Sequence, residues 1–390
     1  MAVHIFGAIS SPSIANFAIQ TAAREAEEKY GVDIAYTIRR NFYVDDCLKS
    51  VSDENVAKET ITKVTQALAR HGFKLTKFTS NSKKVMMSIP KDDWSKEVKS
   101  WELDYDNSTV QRALGLQWRI ESDTFGYTVA LEERPLTRRG LLSTICSLYD
   151  PLGFVSPVIF IAKKILRDAC QTNDLSWDDD IPEELKGTWI KWMEDLNLIQ
   201  QVKVDRCIKR VDFGKVVSSQ LHAFSDASCV GYGICVYIRV VDENGQIHVK
   251  LLMGKSRLAP LKMTTIPKLE LVAAAVSVKI TQNLIRELDA DIDHVVYYTD
   301  SSTVLYYIHS EKGGFPVFVA NRVKQIRDFT SPKQWKYVST SENLADIASR
   351  GITARKIVSS DLWYNGPTFL RADEITWAQQ PEQFSNIGNN

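Results

Sequence analysis

The chain has 390 residues, of which 44% are hydrophobic and 25% charged, with 48 basic side chains against 48 acidic ones. That length exceeds one ordinary domain, and the even charge excludes a global field for polyanions, leaving any nucleic-acid contact to local basic stripes. Six cysteines without C-x-x-C or zinc-like spacing, no apolar run of roughly 18–20 residues and no signal-peptide pattern exclude a structural zinc site, a membrane span and secretion. An intracellular chain, cytoplasmic or nuclear, with reduced thiols and no membrane partner, is expected.

In chain order, Ser10-Ser11-Pro12 predicts a capped helix start, with the helix running to about Lys29 and stopping at Gly31. An apolar segment from Ile34 to Leu48 is interrupted by Tyr43-Val44-Asp45-Asp46, which predicts a tight turn joining two strands. An amphipathic helix is expected from about Glu54 to His71, ending at Gly72. Ala113–Ile120 and Gly126–Leu131 suggest a strand pair, and the apolar stretch Leu141–Ala169 is broken by Asp150-Pro151-Leu152-Gly153 and Pro157. Trp177, Trp189 and Trp192 follow in a helical stretch, where core anchoring is the plainer reading and base stacking the rarer one.

From Val216 the pattern turns to strands: Leu221–Asp226, Gly231–Val241 and His248–Lys255, with Glu243-Asn244-Gly245 marking a hairpin. A long helix from about Pro267 to Leu288 keeps Leu269, Val272, Ala273, Val276, Ile280 and Leu284 at helical spacing. Strand His294–Thr299, helices Ser302–His309 and Pro316–Phe329, strand Gln334–Val338 and a short helix from Asn343 complete the pattern. The fold class is α/β: a mixed five-stranded sheet flanked by helices, behind an α+β segment and a helical connection. The last 40 residues read as a connector with a frayed end.

Four acids stand at matching places on these elements. Asp226 ends the first strand, Glu270 opens the long helix, Asp300 ends the fourth strand, and Asp346 sits in the last short helix. Taken singly, each has a plainer use: Asp300 as a helix cap, Asp346 in a capping box with Asn343, Glu270 on the helix dipole, Asp226 in a turn with Ser225 and Ser228. Taken together, they are expected to converge on one end of the sheet. Clustered carboxylates raise each other's pKa unless cations intervene. Two Mg²⁺ ions about 3.5–4 Å apart would resolve that repulsion and support phosphodiester hydrolysis.

At these residues a resemblance emerges. His222-Ala223-Phe224-Ser225-Asp226-Ala227-Ser228 with Gly231-Tyr232-Gly233, then Lys255–Pro260, Thr265–Leu271, Tyr298–Ser302 and Glu342–Asp346, resembles the RNase H-like domain of BEL/Pao long-terminal-repeat retrotransposons. The resemblance spans about Val216 to Gly351 and implies that Asp226, Glu270, Asp300 and Asp346 are metal ligands and catalytic groups. Many retroviral relatives carry a histidine ahead of the last aspartate; here that loop reads Val338-Ser339-Thr340-Ser341-Glu342. Phe6–Pro12 and Tyr43-Val44-Asp45-Asp46 are similar to reverse transcriptase palm motifs of the same group, which implies that Tyr43, Asp45 and Asp46 are a palm remnant. A palm needs a further aspartate on an earlier strand, so no autonomous DNA synthesis is expected. The middle, with Arg134–Gly140 and Tyr149–Gly153, also resembles Pao polyproteins, in a region catalogued as a Pao peptidase. It lacks a D-[ST]-G signature, Asp123-Thr124-Phe125-Gly126 being nearest, so it reads as thumb and connection.

The implied organisation is a truncated palm over 1–80, thumb and connection over 81–215, an RNase H-like domain over 216–351 and a connector over 352–390. Lys250, Lys255, Arg257, Lys262 and Lys268 form an acid-free basic run suited to phosphates, or simply to a solvated loop; Arg138 and Arg139 offer the same choice. The expected partner is an RNA–DNA hybrid, recognised by shape and 2′-hydroxyls, with the remainder of a Pol polyprotein as a further partner. Two functions stay open: a magnesium-dependent endoribonuclease and a silent nucleic-acid-binding remnant. An aspartic-type peptidase is a distant third, since no apposed aspartate pair is evident.

Overall fold

The computed structural model describes residues 9–99, 110–113, 116–129, 132–172, 175–210, 212–261, 264–311 and 313–377. The chain divides into two compact units, residues 1–124 and 125–390. No helix among the described residues is long and apolar enough to cross a membrane.

The first unit is built on helices α1 (Ser11–Tyr30), α2 (Val32–Arg40) and α3 (Glu54–Ala69). Gly31, at φ +93°, breaks α1 from α2, a backbone angle that side chains with a Cβ rarely adopt. Helix α2 occupies the place where a strand was expected. Its buried Ile34, Ala35 and Ile38 repeat at helical spacing, and Ile34 and Ile38 meet Ala22, Ala23 and Ala26 of α1 and Val64 and Leu68 of α3, so packing overrides the strand propensity of isoleucine. The tight turn is where the sequence places it: β1 (Phe42–Tyr43) pairs antiparallel with β2 (Asp46–Cys47), and Val44 has φ +54°. Asp53 caps α3 by accepting from the amides of Asn55 and Val56. Strand β3 (Val110–Ala113) pairs antiparallel with β4 (Leu116–Arg119), and β4 lies within the expected strand Ala113–Ile120.

The second unit begins with helices α4 (Arg138–Ser147), α5 (Ser156–Gln171) and α6 (Glu183–Leu196). Of the expected Gly126–Leu131 strand, Tyr127–Val129 is not extended into a ladder. Then come β5 (Val216–Ala227), β6 (Gly231–Asp242), β7 (Ile247–Leu258), helix α7 (Ile266–Glu287), β8 (His294–Thr299), α8 (Ser302–His309), α9 (Val317–Arg327), β9 (Trp335–Tyr337) and α10 (Ala345–Arg350). The strands form the anticipated mixed sheet in the order β9-β8-β5-β6-β7, with β8 parallel to both β5 and β9 and the other pairs antiparallel.

Because strand side chains alternate, the two faces bury different sets. Ala223, Ile234, Val236 and Tyr297 lie under α7, α8 and α9. Phe224, Cys235, Tyr237, Leu251 and Tyr298 lie with residues of α5, α10 and the C-terminal segment. That segment, expected as a connector, is instead part of the core: after α11 (Ala354–Val358) and α12 (Asp361–Asn365), Trp363 is fully buried and donates from Nε1 to the Phe154 carbonyl at 2.8 Å. Arg239, 2% exposed, holds it down by donating to the Leu370 and Ala372 carbonyls. Trp189 and Trp192 are core anchors as anticipated, whereas Trp177 is 45% exposed.

The Asp150-Pro151-Leu152-Gly153 break fastens the helical segment to the sheet. Half-buried in its loop, Asp150 accepts from the Tyr127 hydroxyl at 2.6 Å and the amides of Phe154 and Val155 at 3.0 Å. Gly153, at φ +73°, lets the backbone close on β7: a Cβ there would stand 1.8 Å from the Gly254 carbonyl oxygen, and the Gly254 amide donates to Leu152 at 2.9 Å.

Candidate active site

Strand β5 carries Asp226 at its end, and β8 runs parallel beside it with Tyr298 opposite Phe224. Asp300 follows directly on β8 and stays near Asp226: Asn343 Nδ2 donates at 3.1 Å both to the Ser225 carbonyl and to Asp300, and the charge of Asp300 acts on Asp226. Phe224 and Tyr298 stack on one face with centroids 4.6 Å apart, and Asp226, two residues on from Phe224 in β5, shares that face. This is also the face on which α10 lies: a Cβ on Gly233, the register partner of Asp226, would stand 2.4 Å from the Ala345 carbonyl oxygen. Glycine at that position permits the helix to rest directly on the strand.

Each acid has a defined partner. Asp226, 6% exposed, accepts from the Ser349 hydroxyl of α10. Burial pushes its carboxyl up to about 6, and the charges of Asp300 and Asp346 add to the rise, against the Ser349 hydrogen bond. Asp300 accepts from Thr340 Oγ1 at 2.8 Å and Asn343 Nδ2 at 3.1 Å. Asp346 accepts from Arg350 one turn on. Glu270, one turn into α7, accepts from the Ser301 hydroxyl at 2.6 Å, and burial, opposed by that bond and aided by Asp300, raises its carboxyl above the usual range.

The plainer uses of these acids do not hold. Ser301, not Asp300, caps α8 by accepting from the Val304 amide, and Asp346 reaches Arg350 and makes no capping box with Asn343. Asp226 is engaged across the fold with Ser349, and Glu270 is turned to Ser301. The acids thus run in the order Glu270, Asp300, Asp226, Asp346, each electrostatically coupled to the next. Among the described residues no three His, Cys, Asp or Glu side chains are drawn together tightly enough, as they stand, to enclose a metal ion. Hydroxyl, amide and guanidinium donors engage the carboxylates instead.

Sequence reasoning missed those donors. Asn343, 2% exposed, bridges the Ser225 carbonyl and Asp300 through Nδ2, tying the last loop to β5. Ser349 and Arg350 had a signal in their spacing from Asp346, the latter four residues on, but serine and arginine there are common on any helix.

The basic run divides. Lys250 is a correction: it is buried, and its ammonium donates to the Asp205 and Cys207 carbonyls, so it is spent on the fold. Lys255 is half-buried, Arg257 and Lys268 are exposed, and Lys268 lies 5.8 Å from the Phe318 ring centroid. Lys262 lies outside the described residues. Arg138 is likewise structural, donating to the Ala169, Thr172 and Leu175 carbonyls, and Arg139 pairs with Asp178. In the first unit Tyr43 is 65% exposed, and Asp45 and Asp46 sit on the exposed hairpin.

Comparison with known proteins follows from this geometry. A family model described as "Pao retrotransposon-like RNaseH-like domain" matches residues 137–301. The matched residues run from helix α4 to the end of strand β8. The search of curated proteins found no match. Solved structures similar to this chain include the N-terminal RNase H domain of a Mycobacterium tuberculosis protein fused to maltose binding protein, at 12% identity, covering 34% of this chain and 95% of that one, TM-score 0.24. RNase H1 from Halobacterium salinarum shares 13% identity over 35% of this chain and 94% of its own, TM-score 0.21. LC11-RNase H1 in complex with an RNA/DNA hybrid shares 12% over 34% and 93%, TM-score 0.22.

Proposed function

We propose that the second unit is a magnesium-dependent nuclease that cuts the RNA strand of RNA–DNA hybrids. The observation that supports this reading best is the closeness of Asp226 and Asp300 at one end of the sheet, bridged through Asn343, with Asp346 and Glu270 coupled to them. The donor set fits hard divalent cations, being all carboxylate oxygen, and the carboxyl of Asp226, raised by burial first and by Asp300 and Asp346 after it, is one whose ionised form a cation would favour. Asp226, Glu270, Asp300 and Asp346 would hold two Mg²⁺ ions, which when bound supply an activated water and charge for the leaving oxygen. The chain's own work is positioning. Asn343 and Thr340 aim Asp300, Ser301 aims Glu270, Ser349 orients Asp226, and Arg350 keeps Asp346 paired until a ligand displaces it.

Incubating the protein with a labelled hybrid and Mg²⁺ is the test. Wild type is expected to cut the RNA strand, and Asp300→Asn to fall to background. Cleavage that survives in Asp300→Asn overturns the reading. A second reading, a nucleic-acid-binding remnant without turnover, is favoured by Arg350 occupying Asp346 and by the loop without histidine; binding without cleavage by the wild type would select it. In the first unit, the Tyr43-Val44-Asp45-Asp46 motif on its hairpin supports a palm-like reading of Tyr43, Asp45 and Asp46.

A further inference from the structure

The C-terminal segment crosses the sheet on the face away from α7. Gln220, His222 and Phe224 alternate onto that face of β5, with Arg239 opposite Gln220 on β6 and Tyr298 opposite Phe224 on β8. Residues 367–377 lie over them as a strap. Phe369 packs on Phe224 and Tyr298 with ring centroids 6.4 and 5.7 Å away, and Trp377 stands T-shaped to His222 at 5.7 Å. Glu374 accepts from Gln220 Nε2 at 2.7 Å and from Arg239 at 3.1 Å.

The Glu374 carboxylate fixes the sense of every hydrogen bond behind it. A carboxylate only accepts, so the Gln220 amide turns its nitrogen to Glu374 and its oxygen to His222 Nε2, 3.1 Å away. His222 therefore carries its proton on Nε2, and Nδ1 is left as the lone pair that receives the Tyr298 hydroxyl at 3.2 Å. A second proton on the ring would take that lone pair and strip the Tyr298 hydroxyl of its acceptor. The ring is fully buried, and the charged groups around it among the described residues are Arg239 of β6, Glu374 of the strap and, acting on Arg239, Asp373; the Tyr298 phenol is its titratable neighbour on β8. Burial first and Arg239 second push the imidazole down from 6.5 to about 3. Once the strap lifts, the ring meets water and recovers its ordinary affinity for a proton.

We propose that residues 367–377 form an acid-released latch, closed over β5 and β8 while His222 is neutral and opened when the ring takes up a proton. Only the open form accepts the extra proton, so closure is at full strength above about pH 6.5 and weakens as pH falls below it. Opening then increases about tenfold for each pH unit from about 6.5 down to about 3. The strands beneath the strap end in Asp226 and lead into Asp300, so release loosens the packing behind the acids. The latch itself holds whether or not those acids cut nucleic acid.

Amide hydrogen exchange of the full chain, corrected for the intrinsic pH dependence of exchange, reads the latch directly. The strap amides of Leu370, Ala372, Thr376 and Trp377 donate to the carbonyls of Pro367, Phe369, Asp373 and Glu374, so their exchange reports opening. In the wild type their opening constant is expected to be flat above about pH 6.5 and to rise about tenfold per unit down to about 4.5, with β6 amides opening far less. His222→Gln, whose amide can donate to Gln220 and accept from Tyr298, is expected to stay flat. Glu374→Gln is expected to raise opening at every pH and to keep the slope. A flat wild type, the same slope in His222→Gln, a slope lost in Glu374→Gln, or strap amides that open no more readily than those of β6 overturns the latch. Should His222→Gln fail to fold, nitrogen-15 NMR of the wild-type histidines decides: one ring held as the neutral Nε2–H form down to about pH 4.5 is expected, and titration of every ring near about 6.5 overturns the latch equally.

Discussion

Asp226 combines near-complete burial with two acidic neighbours, so its protonation is linked to both folding and cation binding. A carboxyl pushed from 3.8 up to about 6 binds its proton more tightly in the folded chain than in the unfolded one. Stability contributed by that proton is present at low pH and is lost as pH rises from about 4 through about 6, a cost of about 3 kcal/mol on the linkage relation. Mg²⁺ is therefore expected to raise the melting temperature at pH 7.5 and to do so far less at pH 5.5, where the cation competes with the proton. Asp226→Asn is expected to remove the Mg²⁺ effect and to melt higher than wild type in EDTA at pH 7.5. A Mg²⁺ shift that is the same at both pH values would count against the site. Ser349→Ala takes away a bond that favours the ionised form, so the acid limb of any cleavage profile is expected to move to higher pH.

At the scale of elements, the site depends on how closely α10 lies on β6. A methyl group at Gly233 cannot fit within 2.4 Å of the Ala345 carbonyl oxygen, so Gly233→Ala must lift the helix that carries Asp346 and Ser349. The expected cost is about 1–3 kcal/mol in urea unfolding, together with loss of cleavage. Lys250 gives the opposite outcome. Its ammonium ties β7 to the carbonyls of Asp205 and Cys207, so Lys250→Met is expected to lower stability without changing the salt slope of hybrid binding.

The whole second unit closes through its C-terminal segment. Trp363 fills the space between Phe154 and the sheet, and Arg239 pins the residues beyond it. Trp363→Ala is expected to cost about 3–5 kcal/mol by thermal or denaturant unfolding. A chain ended after Gly351 is expected to lack a cooperative transition; melting like the full chain would mean that the segment is dispensable.

Much of this was legible along the chain. Period-two and period-3.6 patterns fixed the strands and helices from Val216 to Arg350, because burial of one face imposes its periodicity on the residues that make it. The positions of Asp226, Glu270, Asp300 and Asp346 on those elements followed, because each stands at an element end. Other features were settled only in three dimensions. Ile34 and Ile38 are helical because alanines of α1 offer a close surface; Lys250 is buried because two distant carbonyls face it; and Asn343 aims Asp300 from 43 residues away. Local sequence encodes propensity and pattern, whereas the partner of a polar group is chosen by tertiary packing, which no spacing along the chain records.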